Sequence, residues 1–303
     1  MEELNTYHIP VLLPEAVEGL QVKPNGIYVD CTFGGGGHSR AILDQLGPKG
    51  KLYVFDQDES ARQNLPNDPR VEFVAHNFRH FSRMMRFYGI KGVDGVLADL
   101  GVSSHQFDEG SRGFSIRFDA SLDMRMDKRQ TQTAATILQE STEEALHKIF
   151  ERYGEVTNAK TLAKTIVQYR QSTPLQSTEQ LKNAIHHIVK GNPHRYFAQI
   201  FQALRIAVND EFGALEDLLT QLPPLLQQGA RVVIITFHSL EDRIVKNFFK
   251  TGSMSQAAVD EVFGTKPDSP FLIITKKPII PSAAEQRKNP RSRSAKMRIA
   301  ERK

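Results

Sequence analysis

The sequence predicts an α/β fold, a mostly parallel sheet of about seven strands interrupted by a helical insertion. Two observations carry this. The N-terminal third alternates short β-rich apolar runs with amphipathic stretches, the pattern of βα units feeding a parallel sheet. A polar stretch and then a run of helical periodicity follow, after which strand-like runs resume.

Four strands come first. Ile27 to Cys31 ends at a glycine run, Lys51 to Phe55 at Asp56, Val71 to Ala75 at His76-Asn77-Phe78, and Gly95 to Ala98 at Asp99. Ser39 to Leu46 is the first crossover helix. Gly47-Pro48 stops it, because glycine accepts a left-handed cap and proline cannot continue the helix. From Asp108 to Arg129 the chain is charged and aperiodic, which predicts a long loop of the kind that carries function. Helical signals follow: capping-box spacings at Ser141/Glu144 and Ser177/Gln180, and apolar faces at Leu146, Ile149, Phe150 and at Leu162, Ile166, Tyr169. The insertion is therefore expected over 107–195, dividing a core made of 1–106 and 196–303. The core resumes with a long helix from Phe197 to Leu219 and a strand from Arg231 to Thr236. A final strand pair, Phe271 to Thr275 and Lys296 to Ala300, completes it. Met297 and Ile299 alternate with Lys296 and Arg298 as in an edge strand.

Composition narrows the function. At 303 residues, 40% hydrophobic and 24% charged, the chain is neither disordered nor fibrous. No apolar run approaches the ~18–20 residues of a spanning helix, and Met1 to Asn5 lacks a basic leader, so a cytoplasmic protein is expected. Cys31 is the single cysteine, which excludes an intramolecular disulfide and a cysteine zinc cluster. No metal is expected. The net charge of +4 is a mild basic bias. It concentrates between Arg287 and Lys303, where Arg287 to Arg293 either meets phosphate or forms a solvated face.

The strand ends carry the chemistry. Asp30 to Ser39 is a glycine-rich strand-to-helix turn that lets the backbone approach a ligand closely. It lacks the G-x-G-x-x-G dinucleotide spacing. Asp56 ends the second strand ~20–25 residues on, where an acid accepts hydrogen bonds from two ribose hydroxyls. Phe78 is placed to pack on an adenine, or is a core aromatic. Asp99 lies where the reactive end of such a ligand would be, or caps a turn. An adenosine site without a pyrophosphate fingerprint points to S-adenosylmethionine over NAD.

At this point the motifs resemble the RsmH (MraW) family of 16S ribosomal RNA cytosine-N4 methyltransferases, nearly end to end. The likeness rests on DCTFGGGGHS from Asp30, ADLGVSS from Ala98, RGFS from Arg112 and LDMRMD from Leu122. It continues in FQALRIAVNDE from Phe201, FHSLEDRIVK from Phe237 and NPRSRSAKMRIAER from Asn289. The resemblance implies a class I, Rossmann-like methyltransferase fold with an inserted domain. It implies S-adenosyl-L-methionine as donor and a decoding-region cytosine of 16S rRNA, within the small subunit, as acceptor. The family's cofactor contacts fall on Gly36, Gly37, His38, Asp56, Phe78, Asp99 and Gln106.

The cytosine amine is a poor nucleophile, and an acceptor for its N–H groups would offset the charge developing on it. Asp99 is the leading candidate, and His238 a second. Arg112, Phe114, Asp123 and Arg125 in the loop, with Arg205 and Asn209 on the long helix, are candidates to hold a flipped base. The alternatives are that the Asp–Arg pair pins the loop and that His238 is a cap. Methylation at cytosine C5 would need a thiolate, and Cys31 reads instead as a small apolar residue of the first strand. Competing functions are a DNA or protein methyltransferase, an assembly factor that holds the donor without using it, and a nucleotide-dependent oxidoreductase. Methyl incorporation into small subunits separates the first two, and donor against NAD binding the third.

Overall fold

The computed structural model describes residues 10–101, 112–254 and 268–303. They fall into two compact units, Met1–Gly101 with Phe212–Lys303, and Val102–Glu211. The strands are β1 (Ile27–Asp30), β2 (Lys51–Phe55), β3 (Val71–Val74), β4 (Val93–Asp99), β5 (Leu226–Thr236), β6 (Phe271–Ile273) and β7 (Lys296–Arg302). In chain order the α-helices are α1 (Leu13–Leu20), α2 (Gly37–Gln45), α3 (Phe81–Phe87), α4 (Ala134–Glu140), α5 (Glu143–Gly154) and α6 (Ala159–Tyr169). They continue with α7 (Thr178–Ile185), α8 (Pro193–Asn209), α9 (Glu211–Leu225), α10 (Ser239–Thr251) and α11 (Ala283–Lys288). No helix among the described residues is long and apolar enough to cross a membrane.

The seven strands among the described residues all lie in the first unit, in the order β3-β2-β1-β4-β5-β7-β6. Strands β1 to β5 are parallel, and β7 runs antiparallel between β5 and β6. This is the mostly parallel sheet that the sequence predicts. Both faces are covered, so the central strands carry buried apolar side chains on consecutive residues rather than only on alternate ones. Val29, Phe55, Val96, Ala98, Val232 and Ile234 pack with Phe81, Met85, Leu218, Leu222, Val245 and Phe248 on one side. Their neighbours Tyr28, Val54, Leu97, Val233 and Ile235 pack with Ala16, Leu20, Ile42 and Leu43 on the other. Each large side chain so buried contributes roughly 1.5–3 kcal/mol. The chain reverses its order of strand addition between β1 and β4, and at such a switch point the loops diverge and leave a crevice at the carboxyl ends of the strands.

Three expectations need correction. The helix expected from Phe197 to Leu219 is two helices, because Asp210 adopts φ 47° and closes α8 as a left-handed cap, its N–H donating to Ile206 O. Asn and Asp tolerate that conformation better than most residues, and Asn209-Asp210 supplies it. β7 is an interior strand and β6 the edge. Arg298 is buried there because Asp242 takes its guanidinium at 2.6 and 3.1 Å. Ser141 closes α4, and Thr142 is the residue that caps α5 by accepting from Ala145 N–H.

The second unit is helical, with α4 to α8 around a core that includes Leu146, Phe150, Leu162, Ile166, Ile200 and Leu204. The Ser177/Gln180 capping box forms as expected at the start of α7. Residues 112–129 contain no α-helix or regular strand, as their aperiodic composition predicts.

Candidate active site

Three carboxylates stand at the tips of β1, β2 and β4. Asp30 is buried and accepts the Ser39 hydroxyl at 2.6 Å and the Thr32 N–H at 3.0 Å. It ties the glycine loop at both ends, and burial holds its carboxyl above the usual range. Sequence reasoning assigned Asp30 no role. The signal was there, a strand-final acid with Thr two residues on and Ser in the following helix. Between these ties Gly34 and Gly36 adopt φ 49° and 76°. A side chain there would cost roughly 1–2 kcal/mol. Gly36 begins α2 with no side-chain cap, so the amides of that first turn keep their donors for another partner. A Cβ on Gly37 would come within 2.3 Å of Pro10 Cγ.

Asp56 supports the same loop from β2. Its Oδ2 accepts the Gly34 N–H at 2.9 Å and its Oδ1 the Asp58 N–H at 2.8 Å. Each oxygen has a second lone pair, so two further donors can be accommodated. Burial pushes the carboxyl up to about 6, against the pull of those two amides. Phe78, expected at the adenine, opens a short 3-10 turn capped by Asn77 and packs half-buried on the core. Gln106 lies outside the described residues.

Asp99 is the most exceptional of the three. Its backbone N–H donates to Thr32 Oγ at 2.7 Å, which sets the tip of β4 against the glycine loop. Oδ1 is buried with no hydrogen-bond partner among the described residues. Oδ2 lies 3.9 Å from His38 Nδ1. Burial and then the nearby Asp30 charge push the Asp99 carboxyl up to about 7, with Glu241 adding to the effect. His38 Nε2 is 3.0 Å from Val11 O. A carbonyl only accepts, so Nε2 carries the proton and Nδ1 presents a lone pair. Burial lowers His38 to about 4, so its ring is neutral at physiological pH. Once Asp99 is ionised, it and His38 turn two acceptors toward each other, an arrangement suited to an N–H donor between them.

His238, expected as a candidate catalytic group or a strand cap, stands at the start of α10. It caps α10, its Nδ1 accepting the Glu241 N–H at 3.4 Å, and its ring lies 5.5 Å from that of Phe212. Nε2 comes within 3.1 Å of Glu241 Oε1 without the alignment of a hydrogen bond. Glu241, also missed by sequence reasoning, is buried and accepts the Phe237 N–H at 2.9 Å. Cys31 is buried, and burial drives its thiol well above the ordinary range, which suits a packing residue and not a nucleophile.

A family model described as the MraW methylase family matches residues 5–303. The chain belongs to that family. Curated relatives include proteins of Parabacteroides distasonis (51% identical, covering 99% of this chain and 99% of the relative) and Bacteroides thetaiotaomicron (49%, 98% and 98%). A third, from Flavobacterium psychrophilum, is 50% identical over 96% of this chain and its own full length. All three bear the name ribosomal RNA small subunit methyltransferase H.

In this MraW-family chain the six residues expected to hold a base all lie in the second unit, where the structure brings them together around the LDMRMD loop. Arg125 grips Asp123 through Nε at 2.7 Å and Nη2 at 2.8 Å, and its Nη1 donates to Gln130 O at 2.7 Å. The pair pins the loop. Asn209 is buried; its Oδ1 accepts the Met126 N–H at 2.7 Å and its Nδ2 donates to Met124 O at 2.8 Å. Buried Arg112 donates to Arg125 O and sits over the ring of Phe114, itself a core residue. Phe114 is thus no open stacking platform. Arg205 makes a two-pronged bond to Glu211 at 2.7 and 2.8 Å. Such charge-assisted forks are worth roughly 1.5–3 kcal/mol. Arg125→Ala is expected to lower the thermal midpoint by roughly 3–8 °C, measured by scanning calorimetry, with methyl-donor affinity unchanged. An unchanged midpoint would mean the loop holds itself without the fork.

Proposed function

We propose that this protein transfers the methyl group of S-adenosylmethionine to the exocyclic N4 amine of a decoding-region cytosine of 16S ribosomal RNA, acting on the assembled small subunit. Membership of a methylase family supports the reaction class, and relatives of about 50% identity that carry the small-subunit rRNA methyltransferase name support the acceptor. The observation that carries the site assignment is the buried, unpartnered Oδ1 of Asp99 at the switch point of the sheet.

When bound, S-adenosylmethionine supplies an electrophilic methyl group on a cationic sulfur. The residues present fit it. Asp56 has lone pairs for two ribose hydroxyls, Gly36 turns the chain so that the uncapped first-turn amides of α2 from Gly37 on can meet a carboxylate, and Phe78 offers an apolar surface to an adenine. His38 and Gln106 complete the set that the family resemblance implies. Asp99 and the neutral His38 accept from N–H groups, so a cytosine amine can place a hydrogen on Asp99 Oδ1 while its lone pair turns toward the methyl group. Electron density drawn back onto nitrogen by that hydrogen bond raises nucleophilicity, and the carboxylate offsets the positive charge that develops. Asp99 receives the departing proton directly or through solvent. Arg112, Phe114, Asp123 and Arg125 of the loop, with Arg205 and Asn209 of α8, form a scaffold in this reading. Within it the Asp123–Arg125 pair is the part exposed enough to meet RNA.

The sign of the pH dependence follows from Asp99. Its carboxyl keeps its proton up to about pH 7, and the protonated form has neither the charge to offset the one developing on nitrogen nor room for the departing proton. Single-turnover transfer to small subunits is therefore expected to rise with pH through about 7 and level off above it. A rate independent of pH from about 5.5 to 8.5 would remove Asp99 from this role. The function as a whole is tested by mass spectrometry of nucleosides from small subunits lacking the modification. N4-methylcytidine should appear only when both protein and donor are added, and a different methylated nucleoside would overturn the assignment.

A further inference from the structure

A cavity of about 450 Å³ lies at the outer edge of the sheet, against β3, and shares no residue with the glycine loop or with Asp30, Asp56 and Asp99. Its size falls within the ~300–1,000 Å³ of small-ligand sites. The lining combines two chemistries. Arg62, His76, His80 and Arg83 supply positive or protonatable groups, and among the described residues no carboxylate lines it. Phe73 and Phe87 supply aromatic surface, with Tyr88 beside them.

The placement is built into α3 and the turn before it. His80, Arg83, Met84 and Phe87 recur at helical spacing and so share one face, while Phe81 and Met85 go to the core. Phe87 is 76% exposed and its ring meets Tyr88 edge-on at 5.2 Å. The Arg62 guanidinium lies 4.7 Å over the Phe73 ring, which holds a flat cation at the opposite wall. His76 and His80 stack edge-to-face at 6.1 Å. An apolar ligand would leave the cations unsatisfied, and a simple anion would leave the rings uncovered. A nucleotide with an unstacked base satisfies both, because every base has a face to stack and every phosphodiester a negative charge.

We infer that this β3-edge cavity holds a nucleotide of the RNA strand flanking the modified base, its base against Phe87 and Tyr88 and its phosphate among Arg62, Arg83, His76 and His80. The inference rests on the proposed acceptor being RNA and adds a second contact within the first unit. The test titrates wild type, Phe87→Ala and Arg83→Ala with a fluorescein-labelled single-stranded oligoribonucleotide of decoding-region sequence and with unmodified small subunits, over a range of salt. Both side chains are exposed, so the variants should fold normally, as calorimetric binding of S-adenosylmethionine will report. Phe87→Ala should weaken RNA binding roughly tenfold, in line with the stacking of one base. Arg83→Ala should also weaken it and reduce the slope of log affinity against log salt by ~0.7, one phosphate contact. Equal affinity and slope in all three proteins, including no binding by any, would overturn the inference. Methyl transfer by the wild type reports on the parent reading alone, so either can fail without the other.

Discussion

Asp99→Ala should reduce the single-turnover methyl-transfer rate on the order of 10²-fold or more while RNA affinity stays near wild type. The size is that of removing one aimed electrostatic partner from a reacting group. Asp99→Asn keeps a carbonyl acceptor without the charge, and its amide can donate to His38 Nδ1, so a smaller loss is expected, with the pH 7 limb abolished. A second readout separates chemistry from architecture. The Asp99 carboxyl sits at about 7 in the fold against an ordinary 3.8. Below pH 4 both states are protonated and the group contributes nothing. Between about 4 and 7 the unfolded chain ionises while the fold holds its proton, so stability falls as pH rises and the full cost, at most a few kcal/mol, is present above 7. Asp99→Asn should therefore raise the thermal midpoint at pH 8 and leave it unchanged at pH 4. Near-normal turnover in both variants would refute the assignment.

Asp56→Ala should weaken S-adenosylmethionine by about 10²-fold, the lower end for two hydrogen bonds to a charged group. Gly34 and Asp58 also lose their acceptor in that variant, so part of the loss could come from the loop. A donor analogue lacking the ribose 2′-hydroxyl isolates the direct term. Calorimetry should find it bound more weakly than the parent by the wild type and equally well by the variant, a double-mutant cycle with one arm in the ligand. If the penalty for the missing hydroxyl persists in Asp56→Ala, the carboxylate does not hold the ribose.

The strand tips were legible in the sequence because parallel strands buried on both faces are written as short continuous apolar runs, and Asp56 and Asp99 stand at their ends. Asp30 was harder to read. Its function is internal, two hydrogen bonds to the loop that follows, and nothing in spacing separates that from a solvated acid. The fate of the LDMRMD loop could not be read at all, since whether Arg125 points to solvent or back to Asp123 depends on carbonyls five residues away and on Asn209 from a distant helix. The break at Asp210 was visible as Asn-Asp but was outweighed by an apolar face that continues on both sides of it. The position of β7 escaped because a charged residue on alternate positions normally marks an edge, and only the partner on α10 lets Arg298 go inside.

The order of the strands also shapes how the chain is made. The sheet unit draws on two stretches of sequence with the whole helical unit between them, whereas the helical unit is continuous. During synthesis the helical unit can complete its native contacts before the sheet does, because β1 to β4 pair with one another but β4 waits for β5 on its other side. β6 waits longer still, because β7 alone pairs with it and is translated after it. Until residues through Arg302 emerge, the nascent protein carries an open row of amides and carbonyls along β5, a window in which chaperone capture or mispairing competes with closure.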